Sequence, residues 1–314
     1  MDSRIENQLR RYWEHIIGTL FDCGRTDDAR ACANQAVAIG MWRDPLQRPI
    51  HYLPHLAAMP VHDKRQFWFT GYLERNFAAI RAEVLAYFRT NGADFRPYDA
   101  RLIDRGKWEQ LVLYDNGEMV ERACELFPVT TSVVSTISET SHLGMISLSM
   151  VFPGTHIIPH CGPTNARLRV HLCICESQDA YIFVGGHELR WKEGECIMFD
   201  DSFEHEVWHR GRAPRIVLIL DVWHPGLAPE EITTLSRVLS RDETIRSFMT
   251  EKGLRRIDCD ETGTRAQFHP DDQTNKAVMR LIWQNGIRAV DLRAGRLYYA
   301  ENSCAEPNHL RRDE

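Results

Sequence analysis

Two runs near the middle of the chain carry residues whose types and spacing could do chemistry. The first is His156-Ile-Ile-Pro-His160-Cys-Gly162-Pro-Thr-Asn165-Ala-Arg167-Leu-Arg169-Val-His171-Leu, and the second is Phe199-Asp-Asp-Ser-Phe-Glu-His205-Glu-Val-Trp208. Arg215 follows His205 by ten residues. Imidazole nitrogens suit a divalent transition metal, and a guanidinium on a neighbouring strand gives the bidentate grip that a dicarboxylate such as 2-oxoglutarate requires. The layout therefore reads as an iron site beside a seat for an acidic cosubstrate.

Non-haem iron sites of the facial-triad type use a His-x-Asp/Glu pair and a distant His. Here the carboxylate position is Gly162, which has no side-chain ligand, so His160 and His205 alone would hold iron. Alternation along residues 166–175 places Arg167, Arg169, His171 and Cys173 on one face of a strand and Leu168, Val170, Leu172 and Ile174 on the other. Several polar groups on one face of a buried strand are costly unless they line a solvated pocket or meet anions. An exposed face could carry two arginines harmlessly, and an isolated histidine is more often a satisfied structural residue, so it is the combination that points to chemistry.

The elements that must position these residues change in character along the chain. Apolar residues at helical spacing predict two helices over residues 4–41, broken near Gly24. This unit resembles a single tetratricopeptide-like hairpin, and one such unit must pack on something else. A proline-punctuated loop follows, then a long amphipathic helix near Asp63–Thr90. From Trp108 the pattern becomes short runs of Val, Ile, Leu and Phe between Gly, Pro and Asp turns: Gln110–Tyr114, Gly144–Phe152, Ala166–Cys175, Ala180–Val184, Glu195–Phe199 and Arg215–Val222. Strands at this spacing indicate a sandwich or barrel. Val184-Gly-Gly-His187 reads as a hairpin turn, and Pro229–Leu239 as a helix.

The bulk properties exclude several classes. A net charge of -6 offers no concentrated basic face for nucleic acid, no apolar run reaches membrane-spanning length, and the polar start lacks the apolar core of a secretory signal. A cytoplasmic protein is expected. Its nine cysteines are an odd number without scaffold spacing and are expected as free thiols, Cys173 and Cys175 as packing groups rather than half of a zinc site.

The run from Pro153-Gly-Thr-His156 to Trp223-His-Pro225 resembles the aspartyl/asparaginyl β-hydroxylase family of 2-oxoglutarate-dependent oxygenases. The likeness rests on Pro-His160-x-Gly162-Pro-Thr-Asn165-x-Arg167-Leu-Arg169-x-His171-Leu, on the Phe199–Trp208 run, and on Asp221-Val-Trp-His-Pro225. Weaker similarity extends over roughly residues 10–228. The resemblance implies a mainly β core, a double-stranded β-helix or jelly roll, with His160 and His205 as iron ligands and glycine at position 162. It implies Arg215 and Ser149 at the distal carboxylate of 2-oxoglutarate, Arg169 and His171 at its iron-proximal end, Trp108 as an aromatic wall, and Arg167 on the substrate acid. In family members that hydroxylate EGF-like domains a disulfide-closed loop follows the Trp108 position. Here Cys124 matches the first cysteine and the second is missing, while two charged peptide-binding positions fall on Ala100 and Ile103.

The organisation expected is a helical region 1–90, a jelly-roll oxygenase domain 91–228 and a C-terminal helical extension 229–314. The function implied is Fe(II)- and 2-oxoglutarate-dependent hydroxylation, with O2 as second cosubstrate, of an unactivated carbon in an acidic, amino-acid-like small molecule or short peptide. Desaturation or cyclisation in natural-product tailoring is the alternative within enzymes, and a jelly-roll binding module the alternative outside them. Asp200 and Asp201 read as support for His205 or as loop structure, and Trp208, Trp223 and His224 as packing groups.

Overall fold

The structure, a computed structural model, describes residues 3–90, 94–98, 102–142, 144–176, 178–236, 256–260, 263–266, 287–291 and 296–299. The chain divides into compact units of residues 1–240 and 241–314.

Eight strands build the centre of the first unit: β5 (Met145–Val151), β6 (His156–His160), β7 (Arg167–Cys175), β8 (Ala180–Val184), β9 (His187–Arg190), β10 (Cys196–Phe199), β11 (His205–His209) and β12 (Arg215–Trp223). They pair antiparallel in two sheets, in the orders β5-β12-β7-β10 and β6-β11-β8-β9. Chain crossings between the sheets in this order make a jelly roll, so the fold follows from strand order alone. Preceding strands extend both sheets. β3 (Trp108–Asp115) lies beside β5, with β1 (Arg96–Pro97) and β4 (Glu118–Met119) paired to β3, and β2 (Ile103–Arg105) lies beside β6.

Strand alternation sorts the side chains as expected. Leu168, Val170 and Leu172 of β7 and Leu148 of β5 point outward, where they are buried with Phe69, Leu73, Ile80 and Val84 of helix α3 (Trp68–Thr90). Val151, Cys173, Val217 and Ile219 point between the sheets, against Ile157, Ile182 and Val207. The β8–β9 turn is Gly185-Gly186 with φ of 52° and 84°, the two positive values a tight hairpin needs and glycine supplies without strain.

The helical hairpin of α1 (Ser3–Asp22) and α2 (Thr26–Ala38) belongs to the same unit as the jelly roll. Arg48, 4% exposed, clamps the two together, its Nε donating to Glu14 of α1 at 3.0 Å and its Nη2 to Glu204 at 2.8 Å. Two short helices were not expected, α4 (Glu121–Leu126) and α5 (Pro128–Val134). The β-branched run Pro-Val-Thr-Thr-Ser-Val-Val of α5 is held helical by tertiary contacts: Val133 and Val134 are buried on the sheet, and Glu83 of α3 accepts from Val129 N and Thr130 N. The expected helix at Pro229 is present over residues 229–236. The extension is not helical throughout, however. Its described segments pair as two hairpins, β13 (Arg256–Asp260) with β14 (Gly263–Ala266) and β15 (Ile287–Asp291) with β16 (Arg296–Tyr299), a pattern hidden by the mixed charge of the region. Ala100 and residues 237–239 lie outside the described residues. Among the described residues no helix is long and apolar enough to cross a membrane.

Candidate functional site

His160 closes β6 and His205 opens β11, directly opposite each other in register, with ring centroids 4.1 Å apart. Each Nδ1 faces the carbonyl two residues earlier, Ile158 O at 2.8 Å and Phe203 O at 2.9 Å. A carbonyl only accepts, so each Nδ1 carries the proton and each Nε2 keeps its lone pair, the form in which imidazole binds a metal. Burial, then the proximity of His160, holds His205 well below the usual histidine pKa and therefore neutral. Among the described residues no group of three or more His, Cys, Asp or Glu side chains could hold a metal. The pair thus offers two donors of the right chemistry and leaves other positions to small ligands.

Gly162 follows at the position where a third ligand would be sought. A Cβ there would stand 2.7 Å from the Asp201 carboxylate, and Gly162 N donates to Asp201 O at 2.6 Å. Glycine is required here by close approach, since no positive φ is involved. Neither aspartate carboxylate holds the His205 ring, which is faced by the backbone of Phe203 and of Asp201. Asp200 accepts from Gln47 at 2.9 Å and from Ser202 N at 2.9 Å, tying in the proline-punctuated loop. Burial pushes its carboxyl up to about 7 against those hydrogen bonds.

Asp201 instead joins a buried four-charge cluster. Arg167 lies 3.2 Å from Asp221 and 3.9 Å from Asp201, and Arg169 lies 2.9 Å from Asp221 and 3.2 Å from Asp201. Burial disfavours the Arg169 charge, but Asp201 and Asp221 outweigh it and hold the guanidinium pKa above its ordinary value. Asp221, also opposed by burial, is held below the usual carboxylate range by the two arginines. It accepts from Met145 N as well, at 3.0 Å, and Gly144 packs so closely that a Cβ would overlap its carboxylate.

Arg215 stands six residues before Asp221 on the same inward face of β12, about 20 Å away along an extended strand. It is 2% exposed, and its Nε and Nη1 have no hydrogen-bond partner. Burial pulls its pKa down to about 10. The guanidinium lies 4.0 Å over the ring of Trp191. On β5 the Ser149 hydroxyl accepts from the indole N–H of Trp108 at 2.9 Å, which leaves the hydroxyl proton for another acceptor. Between the two ends, His171 pairs across to Ile219, accepts on Nδ1 from Trp191 Nε1 at 3.3 Å, and has a buried Nε2 without a partner. Burial, then Arg215 and Arg169, keeps the ring neutral.

His160, His205, Ser149, Arg167, Arg169, His171 and Arg215 therefore all lie on jelly-roll strands, with Arg167, Arg169, His171 and Arg215 on inward positions of two adjacent strands and Trp108 on β3 beside β5. Residue spacing missed Trp191, which sits in the turn after β9 and belongs to neither histidine run. It also missed the acids that balance Arg167 and Arg169, because cross-strand pairing depends on register. Trp208 and His156 stack at 3.7 Å beside Glu206, and Cys124 is a buried free thiol donating to Leu113 O.

The strand order gives the fold class, a jelly roll that brings two histidines face to face, and comparison with known proteins shows what the chain is similar to. Residues 74–225 match the family described as Aspartyl/Asparaginyl beta-hydroxylase. The chain is 38% identical over 182 residues to the aspartyl/asparaginyl beta-hydroxylase of Mus musculus, covering 56% of this chain and 25% of that protein. It is 32% identical over 190 residues to the human aspartate beta-hydroxylase domain-containing protein 2, covering 57% and 52%. Residues 74–225 are thus similar to the aspartyl/asparaginyl β-hydroxylase family. It spans from a quarter to about half of these relatives' length. Among solved structures it is similar to a Pseudomonas putida prolyl-4-hydroxylase (16% identity, 48% and 88% coverage, TM-score 0.33) and a Trichoplax adhaerens prolyl hydroxylase in complex with a peptide fragment (12%, 57% and 97%, 0.36).

Proposed function

We propose that this chain is an Fe(II)- and 2-oxoglutarate-dependent hydroxylase acting on an acidic, amino-acid-like small molecule or short peptide. The observation that carries the reading is Arg215, a buried cation with two donor nitrogens unpaired and no carboxylate beside it among the described residues. A buried guanidinium left so costs several kcal/mol unless a ligand supplies the anion. A dicarboxylate supplies it: one carboxylate against Arg215 and the Ser149 hydroxyl, the keto-acid end toward His171 Nε2–H and the histidine pair.

His160 and His205 would hold the iron, since both present Nε2 lone pairs. Bound there, Fe(II) supplies O2 activation coupled to oxidative decarboxylation of 2-oxoglutarate to succinate and CO2, with one oxygen atom placed on the substrate. The chain's own part is positioning and exclusion of water. Trp108 and Trp191 wall the cosubstrate seat, Arg169 and His171 face its iron-proximal end, and Arg167 presents guanidinium donors to a substrate acid. Half-buried Ile103 offers no charge to a peptide, and Cys124 is a free thiol rather than part of a closed loop, which favours a small or flexible substrate over a folded domain.

Anaerobically loaded Fe(II) protein, given 2-oxoglutarate, O2 and a pool of acidic amino acid derivatives and short peptides, should form succinate and products heavier by one oxygen. Absence of iron-dependent succinate would overturn the reading. Efficient hydroxylation of a disulfide-bearing EGF-like domain, with no turnover of the small substrates, would overturn the substrate class alone.

A further inference from the structure

Trp191 touches both groups that would hold the cosubstrate. It follows β9 directly and lies in the turn by which the chain passes from the smaller sheet to the larger one. The far end of that turn is pinned to a single residue of β7: Gly194 N donates to Cys173 O at 2.9 Å, and Cys173 N donates to Glu195 O at 3.1 Å. Gly194 has φ of 78° and packs on Phe77 of α3. The indole is thereby carried over the sheet where Arg215 and His171 emerge, and is only 7% exposed.

Its geometry toward those two residues is specific. One face of the indole carries the Arg215 guanidinium at 4.0 Å. The ring lies within 14° of parallel to His171, and its N–H donates to His171 Nδ1 at 3.3 Å. Indole is a donor only, so His171 Nδ1 must be the unprotonated nitrogen and the ring proton must sit on Nε2. That Nε2 is a buried atom with no hydrogen-bond partner among the described residues. Without the indole, either nitrogen of a neutral imidazole could carry the proton, and one of the two forms would present a lone pair to an incoming carboxylate.

We infer that Trp191 is a positioning residue for the acidic cosubstrate, locking His171 as the Nε2–H tautomer and fixing the plane of Arg215 so that both present donors to one dianion. The inference rests on the proposed function for the identity of that dianion, but the tautomer lock itself does not. Phenylalanine separates the two roles, since it keeps a ring beneath Arg215 and removes the donor.

The test uses the full chain labelled with 15N-histidine, the His171 signal being identified by its loss in His171→Gln. Wild type should show a single Nε2–H tautomer, a measurement that requires no Trp191 variant to fold. Trp191→Phe should show a mixture of tautomers and bind 2-oxoglutarate about tenfold more weakly by calorimetry with redox-inert Zn(II), the effect of one lost hydrogen bond. Trp191→Leu, lacking the ring, should lose more. An Nδ1–H tautomer in wild type, an unchanged tautomer in Trp191→Phe, or unchanged affinity despite a mixed tautomer would each overturn the inference. Failure of wild type to bind 2-oxoglutarate would refute the proposed function instead, with the tautomer experiment still deciding the lock.

Discussion

The two ends of the β12 inner face treat buried arginine in opposite ways. At one end Arg167 and Arg169 share Asp201 and Asp221, so the cluster is neutral within the protein. At the other, Arg215 has the Trp191 ring and the neutral His171 near it, and no carboxylate among the described residues pairs with it. The first end is balanced in charge before any ligand arrives. The second is finished only by a ligand. A residue's burial and charge are thus not enough to mark a binding site, because the decisive quantity is whether the protein has already satisfied the charge.

The sharpest way to break this contrast is to remove an acid from the neutral end. Asp221→Ala strips the shared partner from both arginines and should destabilise the protein by about 3–5 kcal/mol in urea denaturation. At the other end the sign should reverse. Arg215→Met removes an uncompensated charge into surroundings that include Val151 and Val217, so stability should hold or rise by about 1–2 kcal/mol while 2-oxoglutarate affinity falls by about 2–5 kcal/mol. A parallel loss of stability at both ends would erase the distinction.

Gly162 gives an intermediate effect. The Cβ of Gly162→Ala must displace the Asp201 carboxylate from 2.7 Å, which disturbs its pairing with Arg169 and should cost about 1–3 kcal/mol. The Gly162→Asp variant adds a second charge against Asp201 and should be worse, though still folded, as judged by circular dichroism and melting.

The smallest effect is a pH slope. Asp200 has its folded pKa raised to about 7, so the folded state binds its proton more tightly than the unfolded chain does. Its contribution is fully present below the ordinary carboxylate pKa near 4 and is lost as pH rises through about 7. Asp200→Asn should flatten the stability profile between those limits, and an unchanged slope would place the titration elsewhere.

Much of the fold was legible because the jelly-roll strands alternate cleanly. Ala180–Val184 coincides with β8, and the inward set of β7 matches the alternation of Arg167, Arg169 and His171. β6 was obscured by Pro159 and by histidines at both of its ends, and α5 by β-branched residues that only the packing against α3 makes helical. Within the site, residue type and spacing pointed to both histidines and to Arg215. They could not distinguish Arg215 from Arg167 and Arg169, since that difference lies in which strand faces which. Asp221 meets Arg169 through antiparallel register, with an irregularity between Ile216 and Val217 that local patterning does not encode. Trp191 reaches its neighbours through a turn pinned to Cys173, a contact between that turn and a strand earlier in the chain.

The most direct test of the central claim compares wild type with Arg215→Met by calorimetric titration of 2-oxoglutarate in the presence of Zn(II), alongside melting with and without the ligand. A ligand that binds only the folded state raises its stability in proportion to the logarithm of saturation. Wild type should bind and melt higher with ligand, whereas Arg215→Met should melt no lower than unliganded wild type and respond to the ligand little or not at all. An Arg215→Met protein that binds 2-oxoglutarate with wild-type affinity would contradict the account.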